Sequence, residues 1–150
     1  MPVIYSEAWY EDMKKLINGS SEFRRLAPTS HITIALEIMG DGISPYVPED
    51  GAIYFLIELT EGRVEEYRPL AGRHDGKGLS FRFSAPAHVW EGVAAGQVDP
   101  IAAGMRGQIR IRGDMRFLMQ NAEAVKALVD LYGHQVHTEW PKGQPPYRAA

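Results

Sequence analysis

The acidic residues with the greatest potential for chemistry lie in one loop rich in glycine and proline. Asp41, Glu49 and Asp50 occur there, and two neighbouring carboxyl groups can act as an acid–base pair. A solvated turn is the favoured interpretation, because Asp and Glu are ordinary loop residues and no apolar sequence surrounds them to raise a pKa. The sequence therefore predicts exposed carboxylates here.

The histidines offer a metal site as one alternative. His134 and His137 are three residues apart and precede Glu139, a spacing that can hold a metal ion, but the segment is polar and a solvated tail is the favoured interpretation. His31 at a strand start and His88 in a helix are interpreted as surface or hydrogen-bonded histidines. The chain has no cysteine, which excludes thiolate zinc sites and cysteine catalysis.

Three arginines form a short basic stripe near the end of the predicted sheet. Arg110 and Arg112 alternate on one strand face, for which a solvated surface is favoured and an anion site is the alternative. Arg106 precedes that strand. The common signatures of hydrolases, nucleotide-binding loops and zinc proteases are absent from the sequence.

Composition limits the class of protein. The 150 residues carry a net charge of −3 and are 45% hydrophobic, which predicts one ordinary globular domain and argues against nucleic-acid binding. The longest uncharged apolar run, residues 52–57, is too short to cross a bilayer. The first residues carry acids and lack the features of a signal peptide, so we expect a cytoplasmic protein without a membrane span.

Hydrophobic periodicity predicts the elements that position these residues. A helix from Ser6 to Asn18 and a short turn before Pro28 precede a run of strands with alternating apolar residues. Helices follow Pro86 and Asp99-Pro100, and a C-terminal helical region follows one last strand. The expected strands contain residues 32–38, 53–59, 63–68, 79–85 and 109–112. This order predicts an α+β fold with a five-stranded, mainly antiparallel sheet.

The C-terminal helical region is predicted to bury a single stripe that ends at Gly133. The stripe consists of Leu118, Ala122, Val125, Val129 and Tyr132. The expected domain spans residues 1–133, and residues 134–150 are expected to form a tail that contains proline.

Bulky apolar residues are concentrated in the second half of the chain. A plain core is the simplest interpretation, although helices on an antiparallel sheet can also enclose an apolar ligand cavity. The residues are Phe81, Phe83, Trp90, Met105, Met115, Phe117, Leu118 and Met119.

The segment from Leu79 to Met119, LSFRFSAPAHVWEGVAAGQVDPIAAGMRGQIRIRGDMRFLM, combines several marks at a characteristic spacing. The marks are Trp90, Gly96, Asp99-Pro100, Gly107, Ile109, Ile111 and Gly113-Asp114-Met115. In this combination the chain resembles the sterol carrier protein 2 family, with looser agreement back to Ser6 and onward to Tyr132. The long loop of residues 40–51 departs from the family pattern, and the tail after Gly133 ends without a peroxisomal address. We therefore expect a bacterial-type, stand-alone member with an undefined ligand.

The resemblance implies helices covering one face of the sheet and an apolar tunnel between the two that takes sterols, fatty acyl chains or other lipids. It implies no catalysis and no cofactor. Carried onto this sequence, the expected ligand-binding residues are Phe81, Phe83, Trp90, Met105, Arg106, Ile109, Phe117 and Leu118. For Arg106, binding of a carboxylate head group and a position facing solvent are both left open.

Two other functions remain as alternatives at this stage. One is a small pocket enzyme that uses a loop Asp with His31, His74 or His88 as acid and base. The other is an interaction or dimerisation module acting beside a larger enzyme, and pairing into a homodimer is left open.

Overall fold

The helices and strands follow the predicted order along the chain. The structure is a computed structural model, and it describes residues 2–72, 80–134 and 137–147. Within those residues the elements are α1 (Glu7–Asn18), α2 (Ser21–Leu26), β1 (His31–Met39), β2 (Ala52–Thr60), β3 (Arg63–Leu70), β4 (Phe81–Pro86), α3 (Ala87–Ala94), α4 (Pro100–Met105), β5 (Arg110–Gly113), α5 (Met115–Gln120) and α6 (Ala122–His134).

The strands form one sheet in the order β3-β2-β1-β4-β5. β1 lies at the centre and pairs antiparallel with β2 on one side and parallel with β4 on the other. The β2–β3 and β4–β5 pairs are antiparallel. The predicted α+β fold with a five-stranded, mainly antiparallel sheet is therefore confirmed, with one parallel pair at its centre.

Alternation along the strands places apolar side chains on the face that the helices cover. Ile34 of β1 lies opposite Ile57 of β2 and Phe81 of β4, and all three are buried. Met13 and Ile17 of α1 are buried in the same core cluster. The prediction that helices cover one face is confirmed, and the other face carries the alternate, more polar residues.

Short polar residues begin the helices where the sequence predicted them. The Ser6 side chain accepts from the Trp9 backbone N–H, and Asp99 caps α4, whose first residue is a proline. The turn between β2 and β3 has φ of 53° at Glu61 and 76° at Gly62. Positive φ at both central residues is the geometry of a tight hairpin turn whose twist suits the paired strands.

Two helix boundaries add detail to the predicted elements. Pro86 ends β4 and occupies the N-cap position of α3, directly before the first helical residue. The C-terminal region is two helices that meet at Asn121, whose side chain and backbone N–H both bond to the Phe117 carbonyl. The break turns Ala122 to solvent and buries Ala124.

The buried stripe of α6 consequently differs from the predicted one. Leu131 is buried with Ala124, Val125 is half-buried, and the helix continues past Gly133 to His134. The side chains of Val129 and Tyr132 lie outside the described residues. No helix in the described part of the chain combines the length and the apolar character that a membrane span requires.

Residues 137–147 lie against the N-terminal segment and the long loop. Glu139 forms an isolated bridge with Val3, and the Trp9 indole N–H donates to the Thr138 hydroxyl over 2.9 Å. The Tyr46 hydroxyl donates to the Gly143 carbonyl over 2.8 Å. The N-terminal segment and residues 137–147 are thus hydrogen-bonded to each other, and the latter also bond to the long loop.

Candidate functional site

Three phenylalanines from β4 and α5 form an aromatic layer between sheet and helix. The ring centroids of Phe81 and Phe83 are 6.1 Å apart, and those of Phe81 and Phe117 are 6.0 Å apart. Phe81 is buried, whereas Phe83 and Phe117 are half-buried. The structure therefore brings three of the predicted ligand residues together at one apolar interface.

Three further predicted residues border the same interface. Leu118 packs half-buried on the main core, and Ile109 is buried in a smaller cluster. Trp90 of α3 contacts both clusters while its indole N–H donates to the Glu37 carbonyl over 3.0 Å. Trp90 is half-buried, so its packing role is combined with a hydrogen bond that the sequence did not indicate.

Met105 and Arg106 are not brought to this interface. α4 buries Ala103, and a residue two positions later points to the opposite side of a helix with 3.6 residues per turn. Met105 is accordingly 85% exposed, and Arg106, the residue that ends α4, is exposed as well.

A buried carboxyl group that the sequence analysis did not single out lies on α3. Glu91 is fully buried and accepts hydrogen bonds from the hydroxyls of Tyr5 (2.6 Å), Ser44 (2.9 Å) and Tyr147 (2.7 Å). Burial raises the pKa of Glu91, and the three hydroxyl hydrogen bonds oppose that rise. Its position inside the apolar stripe of α3, between Trp90 and buried Gly92, was the sequence signal for burial.

Asp41 is a capping residue, and the prediction that its carboxylate is exposed in a solvated turn is wrong. Its side chain is 10% exposed and accepts from the backbone N–H groups of Ile43, Ser44 and His88, each over 2.8 Å. The His88 ring Nδ1 lies 2.6 Å from the same carboxylate. Burial alone raises the pKa of Asp41, but these hydrogen bonds, the His88 backbone N–H foremost, lower the pKa to about 2.

The Asp41–His88 pair joins the long loop to the start of α3. The groups that bond to Asp41 lie in the loop itself or in the first turn of α3, which is the pattern of a structural cap. Among the described residues, no serine or threonine hydroxyl hydrogen-bonds to His88. Glu49 and Asp50, in the same loop, are exposed as predicted.

The remaining histidines are peripheral to the aromatic layer. His31 Nδ1 lies 2.9 Å from the Thr60 hydroxyl at the edge of β1, and His137 is exposed. His74 and the side chain of His134 lie outside the described residues. The metal site with Glu139, which the sequence offered only as an alternative to a solvated tail, therefore includes a side chain outside the described residues.

Two surface concavities flank the sheet and the helix layer. One, of about 350 Å³, lies between α1, α2 and α6. The other, of about 470 Å³, lies on the sheet face opposite the helices and includes the exposed Arg110 and Arg112. The apolar tunnel expected between sheet and helices stays a prediction.

A five-stranded mixed sheet with helices on one face is the architecture of a sterol-carrier-like α+β domain. The chain belongs to the SCP-2 sterol transfer family, whose family model matches residues 11–126. The resemblance found in the sequence is thereby confirmed. Membership indicates sterol or lipid binding or transfer as the general class of function.

Solved structures of the same fold cover nearly the whole chain. A crystal structure of sterol carrier protein 2 is 23% identical, with a TM-score of 0.73, and covers 87% of this chain and 98% of its own. A conserved hypothetical protein from Thermus thermophilus is 23% identical, with a TM-score of 0.74 and coverages of 93% and 94%. A palmitated SCP2L2 from Aedes aegypti is 14% identical, with a TM-score of 0.51 and coverages of 87% and 96%. No curated protein matches the sequence.

Proposed function

We propose that the chain is a non-catalytic carrier or binding module for a lipid or another apolar ligand, held between the sheet and the helices. The observation that carries the proposal is the aromatic layer of Phe81, Phe83 and Phe117 in a member of a sterol transfer family. Residues 1–133 form the binding unit in this proposal, and residues 134–150 form the tail, of which residues 137–147 lie against the N-terminal segment and the long loop.

Burial alone can hold such a ligand. Each methylene group removed from water contributes about 0.8 kcal/mol, so an acyl chain needs few polar contacts. Half-buried aromatic side chains such as Phe83 and Trp90 already form part of an apolar wall. A ligand that covers them removes more apolar surface from water and so strengthens binding.

Helix α5 is the element best suited to admit the ligand. None of its residues is fully buried, and Phe117 and Leu118 contact the core through half-buried side chains. Elements with few buried apolar contacts open at the lowest free energy. Displacing α5 would remove Phe117 from Phe81 and open the apolar interface from the side of β5.

A panel of fluorescent fatty acid and sterol analogues tests the proposal. We expect saturable binding with a Kd in the micromolar range or tighter, which corresponds to about −8 kcal/mol or better. Phe117→Ala should weaken that binding about tenfold, since it removes an aromatic wall residue. The matched control is Met119→Ala on the same helix, which removes a side chain that is 75% exposed and should leave the affinity unchanged.

The proposal fails if no probe shows saturable binding to the folded protein, or if the two variants weaken binding equally. Native mass spectrometry of the purified chain, followed by organic extraction, identifies any molecule that co-purifies. A folded protein that carries no lipid and binds none would favour an interaction module instead.

A further inference from the structure

The concavity on the outer face of the sheet is built by strand register. Glu37 of β1 lies opposite Tyr54 of β2 and Ser84 of β4, and Ser84 lies opposite Arg110 of β5. Cross-strand partners share a face, so these side chains project away from the helices. They line a space of about 470 Å³. This volume is in the range of small-molecule sites.

The walls of the concavity carry an excess of positive charge. Among the described residues, Arg82, Arg110 and Arg112 line it together with one acid, Glu37, which is 2% exposed. Arg82 Nη1 lies 3.2 Å from a Glu37 carboxylate oxygen. In residues 2–72, 80–134 and 137–147, no acidic side chain lies within 4 Å of the guanidinium groups of Arg110 or Arg112.

Register also places two of these cations side by side. Arg82 lies directly opposite Arg112 in the β4–β5 pair. Glu37 offsets the charge of Arg82, but Arg110 and Arg112 lie two positions apart on the same face of β5, where like charges repel each other. An anion bound between the strands would replace this repulsion with attraction.

The donors suit a phosphate group. Guanidinium groups bind phosphate oxygens through parallel N–H donors, and Gln108, Ser84 and Tyr54, whose side chains can also donate hydrogen bonds, line the same space. Because Arg82 pairs with Glu37, the charges offered to a ligand are the two guanidinium groups of Arg110 and Arg112, which match a dianion. Met39 and Pro86 add an apolar border for the organic part of the ligand.

We propose that the outer sheet face is a second binding site, which takes a phosphate group through Arg110 and Arg112 with Arg82 held in place by Glu37. The site is on the sheet face opposite the aromatic layer and does not depend on the lipid-carrier proposal. The same chemistry belongs to free phosphate esters and to phospholipid head groups. A solvated sheet face, the interpretation favoured from sequence for Arg110 and Arg112, is the competing account.

Titration calorimetry with inorganic phosphate and with glycerol 3-phosphate, at constant ionic strength, tests the site directly. Arg110→Gln and Arg112→Gln should each raise the Kd about tenfold or more, since each removes a charge-assisted contact. The matched control is Arg68→Gln, which removes an exposed arginine of β3 whose Nε lies 3.1 Å from Glu66. The control should change the Kd less than about twofold.

Thermal unfolding provides a second test, because the proposal predicts that the effect of Arg112→Gln on the melting temperature differs in sign between chloride and phosphate. In chloride, Arg112→Gln should melt at the same temperature as the parent or higher, because repulsion between Arg112 and the neighbouring Arg110 on the same face of β5 is removed. In phosphate the order should reverse, because only the parent gains stability from the bound anion. A merely structural role for Arg112 would lower the melting temperature in both salts.

Vesicles distinguish the two sources of phosphate. If phosphatidate vesicles bind the parent and not Arg112→Gln, while glycerol 3-phosphate binds weakly, the ligand is a lipid head group. If glycerol 3-phosphate binds and the vesicles do not, the ligand is a free phosphate ester. The proposal is overturned if no phosphate probe binds saturably, or if Arg68→Gln weakens binding as much as Arg110→Gln and Arg112→Gln do.

Discussion

The Tyr147 hydroxyl donates to Oε1 of Glu91 over 2.7 Å, which fastens the C-terminal segment to α3 across 56 residues of sequence. Tyr147→Phe removes this hydrogen bond and leaves the ring. We expect it to lower the free energy of unfolding by about 1 to 2 kcal/mol, since a buried carboxyl group loses one of three donors. Urea denaturation provides the measurement, and Tyr54→Phe on the outer sheet face is the control. Equal losses for both variants would contradict the assigned role.

Burial of Glu91 makes stability depend on pH in a specific direction. Its pKa is raised above the ordinary value of 4.5, so the unfolded chain loses this proton first as the pH increases. The contribution of Glu91 is complete below pH 4.5 and declines above it. Glu91→Gln keeps the shape but cannot ionise, so the parent should lose stability relative to this variant as pH rises. If the stabilities of the parent and of Glu91→Gln change in parallel from pH 4 upward, the prediction is refuted. Glu49→Gln, at an exposed loop position, is the control for loss of one negative charge.

The Asp41 cap has the opposite dependence on pH. Its pKa falls from the ordinary value of 3.8 to about 2, so its contribution is present above pH 3.8 and is lost as the pH falls through 2. Asp41→Asn should cost about 1 to 2 kcal/mol at neutral pH and should reduce the acid-dependent loss of stability. Asp50→Asn, at an exposed position of the same loop, should do neither. Unfolding monitored from pH 7 to 2 separates the two variants.

Gly113 at the end of β5 is required for two reasons. Its φ is 144°, and a Cβ built there would overlap the Phe81 ring and lie 2.7 Å from the Ser80 carbonyl oxygen. Gly113→Ala should therefore destabilise the protein by about 3 kcal/mol, through backbone strain and displacement of a buried ring. Gly107, before β5, also has positive φ, 78°, but a Cβ there meets nothing within 4 Å. Gly107→Ala should cost about 1 kcal/mol, and equal effects on the melting temperature would disprove the steric argument.

Local patterns were sufficient to predict most of the fold. The alternation around Ile34 and the capping residues Ser6 and Asp99 act over a few residues, so the sequence shows them directly. The resemblance to the family predicted that helices cover one face of the sheet, and Phe81 and Phe117 do meet at the interface between sheet and helix. Whether a ligand occupies that interface stays a prediction.

The parts that the sequence did not show depend on partners far apart in the chain. Glu91 receives donors from residues 86, 47 and 56 positions away, which no local pattern encodes. Asp41 bonds the N–H groups of Ile43 and Ser44 locally, but its bond to the start of α3 joins groups that are 47 residues apart in the sequence. Met105 was grouped with the ligand residues by residue type, although the burial of Ala103 turns it to solvent.

The parallel contact of β1 with β4 has a consequence for how the chain folds. β1, β2 and β3 are consecutive. A two-residue turn joins β2 to β3 and the loop of residues 40–51 joins β1 to β2, so both pairs close smaller loops than the contact of β1 with β4 does. β4 reaches β1 only after both of those strands, and Thr33 and Ser80, which are hydrogen-bonded at the start of this contact, are 47 residues apart. Non-local pairing of this kind slows folding. The three-strand meander is therefore the natural early structure, and the half of the sheet that carries both candidate binding surfaces is completed last.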